Sequence, residues 1–270
     1  MTATFAHGHA ALPRYLAVAN TALRQSLSEP AAFLGRTAFY AIILLIFSRL
    51  WEVVHERGAL PGVSPGELVW YLAITEWIVL SWPLVHLDIE RDVRSGDIAY
   101  RLTRPVSYLG ARLAEAAGDF ALRAVTIGAA GLLFAWLLTG GFPADPRGLL
   151  LVVPLGLLAA WVGLAFHTTI GLLAFWLQDS SPVYWIWQKF AFILGGLMLP
   201  LEIYPAWLRT IAEWTPFSAL MYGPGRMAFG FDPTFAALVA CKLIGWGIVA
   251  SALLVWVYRR ALRVLDVNGG

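Results

Sequence analysis

From Leu149 to Leu177 the chain runs without a single aspartate, glutamate, lysine or arginine. As a helix this stretch would be roughly 43 Å long, longer than the ~30 Å hydrocarbon core of a bilayer. A soluble fold would have to bury it on every side. Lipid makes no such demand, but it leaves no water for bare backbone groups, so the segment can cross a membrane only as a helix. Similar runs recur along the chain and read as spans over about Phe33–Val54, Glu67–Leu87, Leu113–Leu138 and Phe235–Tyr258, with a kink expected at Pro83 in the second.

One further segment, Val183–Leu201, is interrupted by Lys189, and its clean apolar core, Phe190–Leu199, is short for a span. It is counted as the fifth of six. After it, residues 200–232 are too apolar for an ordinary loop and too rich in proline and glycine for a span. Broken, re-entrant or surface-lying helices are expected there. The fold class is therefore all-α integral membrane, with six transmembrane helices and broken helices between the fifth and sixth.

Composition excludes the alternatives to a membrane protein. Charged residues are 13% of the chain, against about 25% in ordinary soluble domains. The single cysteine, Cys241, leaves no internal disulfide and no cysteine metal cage. Residues Met1–Ala32 hold no compact apolar core followed by a cleavage site, so the first span is expected to serve as insertion signal. Met1–Leu12 reads as a loose tail, and its His7 and His9 have no further ligand nearby. Residues 13–28 carry Tyr15, Leu16, Ala19, Leu23 and Leu27 at helical spacing among polar residues, which suits an interfacial helix begun by Pro13.

Basic residues orient the chain. With a cytosolic N-terminus and six spans, twelve lysines and arginines fall inside and five outside, with Lys242 near the outer side. This is the bias of the positive-inside rule, and it puts both termini and the stretch Asp88–Tyr108 in the cytosol.

That stretch holds four acids and four bases. A lipid-binding segment would be of one sign; balanced charge suits a structured element meeting another protein. Ser95 can cap a helix, Asp97 and Arg101 sit four apart, Ile98 and Leu102 share a face, and Pro105 closes the element. A helix of about two turns is expected, and it needs something to pack against.

Several ionisable groups fall inside spans, where such groups default to functional hypotheses. Glu76 sits mid-span. Glu115, Asp119 and Arg123 share a face of the third span, with Asp119 and Arg123 as a self-neutralising pair. His167 is a candidate relay or a packing residue. Lys189 is expected to snorkel to the inner face.

Three stretches resemble a known family. RSGDIAYRLTRPVSY, Arg94–Tyr108, is similar to the cytosolic segment after the second span in bacterial ABC exporter permeases of the type-2 fold. There a glycine precedes a short helix ending in Leu-x-x-Pro or Leu-x-Arg-Pro. LGGLMLPLEIYPAWLRTIAEWTPFSALMYGPGRMAFG, Leu194–Gly230, resembles that family's fifth-span ending, and the terminal Asn268-Gly269-Gly270 resembles a small prokaryotic six-span branch.

The resemblance implies one permease domain over residues 1–270, in a prokaryotic inner membrane. It implies a coupling helix within residues 89–107 that seats in an ABC ATPase subunit, with Glu90, Arg91, Arg94, Gly96, Asp97, Ile98, Arg101, Leu102, Arg104 and Pro105 as docking residues. It implies an outer gate over 200–232 marked by Pro200, Pro205 and Pro216. The working unit would pair this chain with a second copy or a sister permease, in lipid and without nucleic acid. The chain has no Gly-Lys-Ser/Thr phosphate loop, since its two lysines follow Gln188 and Cys241. No cofactor is expected in the chain itself; ATP and magnesium would sit on the partner.

Two other classes remain open. An ion-coupled secondary transporter would work through Glu76, Asp119 and His167, although only the second half of the chain looks broken. A membrane enzyme would need a constellation such as His-Glu-x-x-His or Gly-x-Ser-x-Gly, which the sequence lacks. The residues do not name the transported substrate.

Overall fold

The computed structural model describes residues 8–58 and 62–268, with side chains over 12–58 and 62–264. His7, Pro61, Gly269 and Gly270 lie outside the described residues, as does the side chain of His9. The described residues form helices and turns, with no strand among them. In chain order the helices are α1 (Gly8–Leu27), α2 (Pro30–Glu56), α3 (Pro65–Ser81), α4 (Val85–Ser95), α5 (Asp97–Leu102), α6 (Tyr108–Thr139), α7 (Gly148–Leu172), α8 (Ala174–Leu177) and α9 (Ser181–Leu194). They continue with α10 (Ala206–Trp214), α11 (Pro216–Leu220), α12 (Tyr222–Gly225) and α13 (Pro233–Asn268). Among the described residues five stretches are long and apolar enough to cross a membrane: Pro30–Glu56, Pro65–Ser95, Tyr108–Thr139, Gly148–Leu177 and Pro233–Val264.

α3 is the axis of the core. Ser64 starts it: its hydroxyl accepts the Glu67 N–H at 3.2 Å, and the Glu67 carboxylate accepts the Ser64 N–H at 2.8 Å. Pro65 stands in the first turn, where its missing N–H costs nothing. Every residue from Leu68 to Glu76 is buried, so α3 is enclosed by protein rather than lipid. α2 and α6 pack on one side of it, and α7, α12 and the turn Arg226–Phe229 on the other. Pro83 ends it by holding Trp82 extended, as the residue before a proline tends to be. The expected second span is therefore two helices, broken where the kink was expected.

Small residues let these helices close in, as they do in membranes generally. Trp77 fits over Gly128 of α6 and Gly156 of α7, and its indole N–H donates to the Ala124 carbonyl at 2.8 Å. α4 crosses α7 at Gly171, where an added Cβ would meet the His86 backbone at 2.8 Å.

α1 differs from expectation at its start. It begins at Gly8, inside the expected tail, so Pro13 lies within the helix rather than in its first turn. α1 packs along the first half of α6. Tyr15 and Ser107 share a hydroxyl hydrogen bond of 3.1 Å, and Ser26 donates to Asp119 at 3.0 Å. Gly118 makes the contact close enough, because a Cβ there would strike the Ala19 carbonyl. Gly118→Val should push α1 off α6 at a cost of about 1–3 kcal/mol. Limited proteolysis checks this: α1 should become cleavable while α6 stays protected.

The fifth expected span is the main correction. α9 ends at Leu194 after 14 residues, roughly 21 Å, and does not reach the expected Leu201. The chain then turns through Gly195 and Gly196, the latter at φ +66°. The freed carbonyls are met from α3. Tyr71 donates its hydroxyl to the Gly196 carbonyl, and Thr75 donates to the Leu197 carbonyl at 2.7 Å. These two donors lie about 9 and 15 Å along α3 from Pro65, so α9 stops inside the bundle. From there the expected broken helices appear as α10, α11 and α12, returning to the end of the bundle where α7 and α13 begin.

Candidate functional site

The charged stretch folds as a corner between α4 and α5. Gly96 makes it, at φ +78°, ending α4 and starting α5 in one residue. A Cβ would find open space there, so only the backbone conformation calls for glycine. Ser95 accepts the Asp97 N–H at 3.4 Å, but as the last residue of α4 rather than as the cap of α5. The two turns expected in one helix are divided between the end of α4 and the six residues of α5.

The inner side of the corner is bolted down by buried charge. Asp92 accepts from the Tyr108 hydroxyl at 2.8 Å and from the Arg112 Nε at 2.8 Å, and pairs with Arg101 at 3.2 Å. Arg112 also pairs with Glu115, which reaches Arg101 at 3.5 Å. Two acids and two arginines thus balance one another. Glu90 accepts the Ser180 N–H at 2.9 Å and its hydroxyl at 2.8 Å, tying α4 to the start of α9. The expected Asp97–Arg101 pair does not form. Asp92 is desolvated and needs a cation more than exposed Asp97 does, so Arg101 turns inward.

The outer side is exposed, although Arg94 pairs with Glu90 at 3.4 Å and Arg14 of α1 donates to the Pro105 carbonyl at 3.4 Å. Arg91, Arg94, Gly96, Asp97, Leu102, Arg104 and Pro105 are exposed, as is Tyr100, over whose ring the Arg104 guanidinium lies at 5.0 Å. Of the ten expected docking residues, Glu90 and Ile98 face inward and Arg101 is half-buried. Asp92, Tyr108, Arg112 and Ser180 escaped the sequence reading. A signal for Asp92 exists: Val85, Ile89 and Asp92 recur at helical spacing, marking an inward face. Between this corner, α1 and α6 lies an open cavity of about 770 Å³.

The intramembrane groups fall in separate neighbourhoods. Asp119 and Arg123 form the expected pair, with Nε to Oδ1 at 2.8 Å, and Arg123 also donates to the Trp82 carbonyl at 3.1 Å, freed by the break at Pro83. Glu76 is buried on α3, and among the described residues it makes no ion pair. His167 packs edge-on to Trp82, with centroids 5.1 Å apart, and 6.2 Å from His86, which stacks on Tyr184 at 3.7 Å. His86 was not singled out by the sequence. Lys189 lies over the rings of Trp185 and Phe192. Among the described residues no cluster of three or more histidines, cysteines or acids could hold a metal.

At the opposite end, Pro200 leads into the turn Leu201–Ile203, Pro205 into α10, and Pro216 opens α11. Glu202 accepts from the Tyr222 hydroxyl at 2.6 Å and from Arg226 at 3.0 Å. In the turn before α7, Asp145 binds Arg147 at 2.8 Å and accepts the Phe231 N–H at 3.3 Å. The Arg147 guanidinium holds the Asp145 carboxyl down at about 2. A depressed carboxyl keeps its tether above the ordinary carboxylate range and loses it as pH falls through the folded value.

Residues 37–269 match the family model described as ABC-2 family transporter protein. No curated protein matches the chain.

Proposed function

Because the chain belongs to the ABC-2 family transporter proteins, and is thus a multi-pass membrane permease, we propose that it is the membrane half of an ABC exporter driven through the α4–α5 corner. Membrane components of this family work with ATPase subunits and are not themselves catalytic. The observation that carries the reading is the two-sidedness of the corner. Its underside is fixed to α6 and α9 by Asp92, Arg112 and Glu90, while Tyr100, Arg104 and Arg94 stand exposed. A push on the exposed side is then passed to two helices at once.

In this reading α9 and the helices α10–α12 together make the fifth of six crossings, and both chain ends lie in the cytosol of a prokaryotic inner membrane. α1 lies in the inner interface, its exposed Leu12, Leu16 and Leu27 toward lipid. Two permeases, identical or sister chains, line the path, and a separate ATPase binds ATP and magnesium. Closing of the ATPase pair moves the two corners and switches the permease interface between its inward-open and outward-open arrangements.

The test is co-purification from native membranes. Tyr100→Ala with Arg104→Glu should cut the yield of a co-purifying chain carrying a Gly-rich phosphate loop at least about tenfold, one strong hot-spot pair being worth 2 kcal/mol or more. Insertion and thermal stability should not change. Undiminished recovery of that chain with the double variant would refute the docking face. Arg101 is unsuitable for this test, because reversing its charge would break the cluster beneath.

A further inference from the structure

α10–α12 and the first turns of α13 enclose an open groove of about 240 Å³. Its charged lining residues are Arg209, Glu213 and Lys242, and its apolar ones include Phe235, Leu238 and Val239. Arg209 is matched by Glu213 at 2.8 Å. Lys242 has no such match: among the described residues no carboxylate comes within ion-pair distance of it. It lies roughly 13 Å along α13 from Pro233, inside the span Pro233–Val264. A lone cation at that depth is unfavourable unless something compensates it. The groove as a whole carries one excess positive charge beside a wall that faces lipid, where Leu238 is 53% exposed.

The helix above the groove sets its depth. Trp207, Ile211 and Trp214 follow one another at helical spacing on α10 and are 66%, 48% and 82% exposed. Tryptophans so placed favour the headgroup level of a bilayer. The groove therefore opens where lipid phosphates lie and runs inward along an apolar wall.

We propose that this groove is a binding site for an anionic phospholipid. Its phosphate rests at the mouth between Arg209 and the ammonium of Lys242, whose side chain points back toward the start of α13, and an acyl chain runs inward along the lipid-facing Leu238 and Ile244. The charge complementarity is simple: the cation lacks an acid in the protein and gains one from the lipid. The proposal does not depend on the docking face of the α4–α5 corner, which lies at the other end of the bundle.

Native mass spectrometry of the purified full chain tests it, after exchange through nanodiscs of mixed phosphatidylglycerol and phosphatidylcholine. Lys242→Gln should lower the retained phosphatidylglycerol relative to phosphatidylcholine about fivefold, the worth of one lysine near a lipid surface. Lys242→Arg should keep the wild-type ratio. An unchanged ratio in Lys242→Gln overturns the proposal. Photoactivatable phosphatidylglycerol supplies a reading on the wild-type protein alone, and should label the segment Leu238–Lys242; labelling confined to other segments counts against the site. Inorganic phosphate in excess should not displace the lipid. Displacement would assign the groove to a free phosphate and overturn the lipid proposal.

Discussion

Arg112→Leu should destabilise the permease by about 3–5 kcal/mol, the usual result of removing one partner from a buried ion pair. Arg112 and Asp92 have only 9% and 4% of their side-chain surface exposed. Without Arg112, Asp92 keeps the Tyr108 hydroxyl and Arg101 but loses its closest cation, and Glu115 loses its nearer one. The charge left behind lies between helices, where water cannot solvate it well. Thermal unfolding in detergent reads the effect directly. Arg104→Glu, on the exposed side of the same corner, should stay within about 0.5 kcal/mol of wild type. A double-mutant cycle with Asp92→Asn should recover part of the loss, because two neutral groups leave no orphan charge. If Arg112→Leu melts with the wild type, the cluster does not hold the corner.

This contrast also shows what the sequence could and could not disclose. The spans were legible because lipid imposes one rule on every residue of a segment, and a run such as Leu149–Leu177 obeys it visibly. The break at Pro83 was legible because proline acts on its own neighbour. The Asp119–Arg123 pair was legible because four residues along a helix return to the same face. The corner's underside was not. Asp92 and Arg112 are 20 residues apart, and Glu90 and Ser180 are 90 apart. No local period relates them, and only the crossing of α4 with α6 and α9 brings them together. Hence the local pair Asp97–Arg101 looked sufficient, although Asp92 takes the arginine. His86 was hidden for the same reason: its partners Tyr184 and His167 come from two other helices.

The half-length α9 gives the second large effect. Tyr71→Phe combined with Thr75→Val should destabilise the protein by about 2–6 kcal/mol, each lost donor leaving a buried carbonyl at 1–3 kcal/mol. The carbonyls concerned are those of Gly196 and Leu197, freed where α9 stops. In water such groups would find other partners; at this depth, against the fully buried Tyr71 and Thr75, nothing else is offered. The sequence hinted at the break through Lys189 and the short apolar core Phe190–Leu199, but the donors lie more than 120 residues upstream, on a helix where nothing local marks them as partners of that turn. Both substitutions nearly conserve shape, so packing changes little and the loss reports the hydrogen bonds. The single variants should each show about half of it by thermal unfolding. Hydrogen exchange should localise it: the amides of Leu197 and Tyr222, which bond Phe192 and Gly195 across the same turn, should lose protection first. Wild-type stability and protection in the double variant would mean that the end of α9 is held by something other than α3.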